Sequence, residues 1–77
     1  MAKLRSVKPA AAIKAFEHLG FTVKRRKGSH VSMTKPGVGR PLVIPDHGDL
    51  AIGTLKSNLR TAGITIDEFE KALAESG

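Results

Sequence analysis

The chain has 77 residues, 40% of them apolar, no cysteine and a formal charge of +6. A chain this short buries only about 60% of its unfolded surface, so one domain spanning residues 1–77 with one modest core is expected. The missing cysteines exclude disulfides and zinc–thiolate sites. "MAKLRSVK" lacks the apolar run of a signal peptide and no stretch approaches membrane-spanning length, so a soluble cytoplasmic protein with no membrane association is expected.

"KPAAAIKAFEHLG" reads as a first helix. Pro9 suits the first helical position and Gly20 the carboxy-terminal cap. Ala12, Ile13, Phe16 and Leu19 make an apolar stripe, and His18 lies off it. "FTVKRRK" and "HVSMT" alternate as strands, with Phe21, Val23, Val31 and Met33 on the apolar side. "KPGVGR" is a turn by composition. "PLVIP" is a short strand between two prolines, which suits an edge, with Leu42 and Ile44 inward. "AIGTLKSNLRTAG" is a second helix in which Ile52, Leu55, Leu59 and Ala62 share a face and Gly63 stops the run. "TIDEFEKALAESG" opens with Thr65 and Glu68 at capping-box spacing, and Phe69 and Leu73 share its apolar face. The order is α-β-β-β-α plus a short terminal helix. The expected class is α+β, a three-stranded antiparallel sheet with helices packed on one face.

Charge is unevenly placed. Residues 1–40 carry ten Lys and Arg against one acid, Glu17, for a net +9. Residues 41–77 carry three bases against six acids, for a net −3. A basic half of this kind is the footprint of a polyanion binder, although solubility alone also favours net charge. Its densest part is "VKRRKGSH", where Lys24, Arg25, Arg26 and Lys27 run into Gly28, Ser29 and His30.

Strand parity sets an expected register. If Val23 and Met33 both face the core and oppose each other, Lys24 faces Ser32 and Arg26 faces His30, and Lys27-Gly28-Ser29 form the loop. A two-residue turn at Gly28 and Ser29 would flip one strand against the other, because side chains alternate with period two. On the odd-loop register His30 shares the open face with Lys24, Arg26, Ser32 and Thr34. Arg25 faces the other way.

That grouping suits RNA cleavage. RNA carries its own nucleophile, the 2′-hydroxyl, which attacks the adjacent phosphorus once a base removes its proton. An imidazole, with a free pKa of about 6.5, suits proton transfer near neutrality. Arg and Lys neutralise the charge that develops on phosphorus. For His30 alone, an exposed strand-end histidine without a role is the plain alternative. His47, in "PDHGD", could equally be a loop residue hydrogen-bonded near a helix start. Gly28 and Ser29 could be turn formers only. The three histidines lack the i, i+4 spacing of a helical metal pair, so no metal and no cofactor are expected. Phe16, Phe21 and Phe69 fall on apolar faces and read as core.

The ordered set of "LGF" after the first helix, "KGSH" at the hairpin, a strand ending in Pro45 with His47 two residues on, then "GTL", "LR" and "AGI", resembles the HicA-type (YcfA-like) toxins of bacterial toxin–antitoxin pairs. The resemblance runs over roughly residues 9–73. It implies a fold like the double-stranded-RNA-binding domain, metal-independent endoribonuclease cleavage of mRNA, and a partner antitoxin of the HicB type that silences the toxin. It implies His30 as the catalytic histidine. Lys24, Arg25, Arg26, Lys27 and Ser32 are then candidate RNA contacts, and Gly28, Ser29 and His47 candidate accessory positions. The runner-up is a non-catalytic double-stranded-RNA-binding module. Such modules present lysines at the start of the last major helix, where this chain offers only Lys56 and Arg60. A third reading is a small basic interaction or ribosome-associated protein.

Overall fold

A computed structural model describes residues 6–76. Lys3 and Arg5, which contribute to the basic half, lie outside the described residues. The elements are α1 (Pro9–His18), β1 (Thr22–Lys27), β2 (His30–Thr34), β3 (Leu42–Pro45), α2 (Ile52–Ala62) and α3 (Ile66–Ser76). The strands form one antiparallel sheet in the order β1-β2-β3. The fold is α+β and compatible with a double-stranded-RNA-binding-domain-like arrangement. Among the described residues no helix is long and apolar enough to cross a membrane.

Chain punctuation explains the helix ends. Pro9 occupies the first turn of α1, where a missing N–H costs nothing. Past its carboxyl end, Gly20 takes the left-handed region at φ 102°. The Phe21 N–H then reaches Phe16 O at 2.9 Å and the Gly20 N–H reaches Glu17 O at 3.0 Å. This pair of bonds is a Schellman motif, and it satisfies carbonyls the helix cannot. Lys35 adds a bond from Nζ to Leu19 O at 3.0 Å and lies 5.7 Å above the Phe21 ring. Gly63, at φ 71°, ends α2 in the same way. Thr65 and Glu68 form the reciprocal capping box at the start of α3, with bonds of 2.9 and 3.1 Å.

The core lies between the helices and one face of the sheet. Val31, Met33, Leu42 and Ile44 are fully buried, as are Phe16 and Phe69 from α1 and α3. Phe16 packs edge-on to Phe21 at 5.8 Å and tilted against Phe69 at 5.1 Å. Helix α1 lies on the sheet and against α3, and α2 runs beside β3. The outer edge of β3 is closed by a side chain of α2. Asn58, 7% exposed, accepts from the Val43 N–H at 3.2 Å and donates to Val43 O at 3.0 Å. An edge strand with its polar backbone paired this way offers no template for another chain at that residue.

Three expectations are corrected. Val23, placed by alternation on the core side, is 39% exposed although it opposes Met33, because β1 is an edge strand of the sheet. Ile52, placed by periodicity on the buried face of α2, is 41% exposed because it stands at the helix's first residue, beyond the core's reach. The expected hairpin register is also wrong. Lys27 pairs with His30, leaving Gly28 and Ser29 as a two-residue turn. Val23 still opposes Met33, because a β-bulge between Val23 and Arg25 restores parity. Arg25 therefore opposes Ser32, and Arg26 opposes Val31. The assignment of Arg26 to His30's face, and of Arg25 to the opposite one, is reversed.

Candidate functional site

The tight turn builds the site. Gly28 has φ 58° and Ser29 does not have a positive φ. That matches a type II′ hairpin, which takes Gly first and follows the twist of the strands. The turn places Lys27 and His30 directly across from each other at its base. His30 is exposed, as are all six residues of β1. On the other side His30 pairs with Pro45 of β3. The Asp46 N–H extends that ladder by one bond to Ser29 O.

The bulge decides which cations join His30. Lys24 is the extra residue, without a partner of its own between Val23 on Met33 and Arg25 on Ser32. Lys24, Arg25, Ser32 and Thr34 line one recess on the open face of the sheet. Alternation along β2 puts His30, Ser32 and Thr34 on that face, while Val31 and Met33 point into the core. Lys24, Arg25 and Lys27 thus accompany His30, and none of the side chains the register gives this face is a carboxylate. Arg26 turns the other way. Its Nη1 donates to Asp46 Oδ2 at 2.6 Å, with both side chains well exposed. Such a pair tethers the hairpin to the end of β3 more than it stabilises the fold.

His47 is exposed in the loop two residues past Pro45, on the stretch that flanks His30's partner strand. His18 lies elsewhere, bonded through Nε2 to Glu75 at 3.0 Å across α1 and α3. Among the described residues no three His, Asp or Glu side chains gather where they could hold a metal ion.

Arg40 is a residue of this face that sequence reasoning left in a turn. It lines the same recess as Lys24 and Arg25, from the β2–β3 connection. Its charge was the only available signal, and a "PGVGR" turn does not reveal which way an arginine is carried.

The fold and site define a small α+β protein with one sheet face covered by helices and the other presenting a histidine among cations. Residues 10–64, most of the chain and all of the hairpin site, match the family described as the HicA toxin of bacterial toxin–antitoxin systems. The chain belongs to that family and is the toxin of a toxin–antitoxin system, with a cognate antitoxin as its partner. No curated protein matches it.

Proposed function

We propose that this toxin is a metal-independent endoribonuclease that cleaves mRNA, with His30 as the general acid–base group and a HicB-like antitoxin as its inhibitor. The observation that carries the reading is the placement of His30. It is exposed at the base of a two-residue turn, opposite Lys27 and on the face of Lys24 and Arg25.

The chemistry follows from those groups. Neutral His30 takes the proton from O2′ as O2′ bonds to phosphorus. The P–O5′ bond breaks, and the imidazolium returns the proton to O5′. The products are a 2′,3′-cyclic phosphate and a 5′-hydroxyl, and no water is consumed in the step. Lys27, directly across from His30, neutralises the oxygens of the crowded phosphorane, the role in which a preorganised cation contributes most. DNA lacks the 2′-hydroxyl and cannot follow this path.

The test is purified protein with RNA in EDTA. Wild-type protein should cleave and leave cyclic phosphate ends, and a 2′-deoxy substitution at the cleaved position should block the cut. His30→Ala should lose about a hundred- to ten-thousand-fold in rate, the usual worth of general acid–base catalysis. Its folding stability should change by under about 0.5 kcal/mol, since the side chain is exposed. An Ala variant that cleaves nearly as fast as wild type would remove His30 from the mechanism. Binding of RNA without any cleavage would favour the non-catalytic double-stranded-RNA-binding module instead.

A further inference from the structure

We propose that the recess between the β1 bulge and the β2–β3 connection is a second phosphate subsite, which holds a backbone phosphate of the RNA next to the one that reacts. This rests on the reading of the protein as an RNA-cleaving toxin and names a part of the face that the reaction itself does not use.

The recess has a volume of about 470 Å³. Lys24 and Arg25 line it from β1, Ser32 and Thr34 from β2, and Arg40 from the β2–β3 connection together with Val38, Gly39 and Pro41. Cations and hydroxyls together are the donor set that phosphate oxygens take from proteins. No carboxylate lines the recess. None of these three cations has an ion pair among the described residues. Arg26 and Lys35 differ, since Asp46 and the end of α1 hold them.

The bulge is what makes the recess cationic. In a regular strand consecutive side chains leave on opposite faces. Here the extra residue, Lys24, has no partner of its own, and it and Arg25 line the same recess. A bulge beside a site re-aims a side chain in this way. Ser32 and Thr34 lie two and four residues along β2 from His30, so the recess begins about 7 Å from the reacting position and extends to about 14 Å. Its centre is therefore too far to bind the phosphate at His30. It lies along the same face in the direction a bound strand would run.

An acidic side chain of a partner protein would meet the same cations, so the experiment separates the two. Affinity for a short single-stranded oligoribonucleotide is measured over a range of salt with His30→Ala protein, which binds without cutting. Adding Arg40→Ala should weaken binding about tenfold, as for a lost charged hydrogen bond. It should also lower the magnitude of the salt slope by about 0.7. Thr34→Val should weaken binding with the slope unchanged. In the wild-type background, Arg40→Ala should reduce kcat/KM far more on the oligonucleotide than on a dinucleoside monophosphate, which has only the scissile phosphate. If Arg40→Ala and Lys24→Ala leave both affinity and slope unchanged, the subsite does not exist. If they weaken antitoxin binding alone, the recess belongs to the protein interface and the proposal is overturned. Should wild-type protein cut no RNA at all, the proposed activity fails, and the binding measurements still decide the subsite.

Discussion

Arg25 and Arg26 are adjacent in sequence and carry the same charge, yet the strand sends them to opposite faces. Arg26 reaches 2.6 Å from Asp46 Oδ2, while Arg25 opposes Ser32 on the face of His30. Their substitutions should separate accordingly. Arg25→Ala should lower RNA affinity and the magnitude of its salt slope by about 0.7, one phosphate contact. Arg26→Ala should leave that slope nearly intact and cost at most about 1 kcal/mol of stability, the range of an exposed ion pair. Filter binding over a salt series and thermal melts would check both, and equal slope losses would contradict the register. At this scale the sequence showed which chemical groups are available and was a poor guide to where each of them pointed. His30 beside cations was readable because both lie within one "KRRKGSH" run. The Arg26–Asp46 pair was not, because its members are twenty residues apart and meet only once β3 has docked.

At the scale of elements, local signals were legible where one residue type enforces one geometry. Pro9 opens α1, Gly63 ends α2, and the Thr65–Glu68 box opens α3. The hairpin was not legible because parity arguments assume an unbroken strand, and a bulge adds a residue without a compositional mark. The bulge gives a direct test. Deleting Lys24 should leave Val23 on Met33 and Arg25 on Ser32 in a regular ladder, so the protein should still fold. RNA affinity should fall with the lost cation. A deletion variant that unfolds would mean that the bulge is needed for sheet twist as well as for placing charge. Helix α3 offers a second test through its cap. The Glu68 carboxylate accepts from the Thr65 N–H, and the Thr65 hydroxyl accepts from the Glu68 N–H. The two contacts with Thr65, with a smaller pull from Lys35, hold the Glu68 carboxyl below its ordinary value of 4.5. Because the folded value is the lower one, the contribution is present above about pH 4.5 and is lost as pH falls through the folded value. Thr65→Ala should cost about 1 kcal/mol at neutral pH, which is several degrees of melting temperature in a domain this size. Thr65→Ala also removes part of what keeps that carboxyl low. The gap to wild type should therefore narrow in acid, and a gap constant with pH would show that the carboxylate adds nothing to the cap.

Over the whole molecule, the helices cover one face of the sheet and leave the other open. The residues buried beneath α1 and α3 include Val31, Met33, Leu42 and Ile44, and the opposite face carries His30, Ser32 and the basic hairpin. Charge is uneven as well, and the hairpin on that open face is its densest basic part. Residues 1–40 hold +9 and residues 41–77 hold −3, so the molecule's field draws an acidic partner toward the hairpin side. Two of the three large apolar side chains left exposed, Val23 and Val43, come from the sheet, at 39% and 44% exposure. Val43 opposes Ser32 and so stands on the open face itself. A protein partner that covers this face would gain apolar contact there as well as charge, which an RNA strand would use less well. The antitoxin should therefore silence the toxin by occupying the face of His30, and RNA and antitoxin should exclude each other. Association should slow as salt rises, because exposed charges are screened beyond about 8–10 Å, while the assembled complex should resist salt better than the RNA complex does. Mixing His30→Ala protein with labelled RNA and titrating antitoxin gives the decisive comparison. Release of RNA in proportion to antitoxin bound is the expected result. A stable ternary complex, with RNA still on the hairpin, would mean that inhibition acts from another surface, and Val43→Ser should then leave antitoxin affinity unchanged.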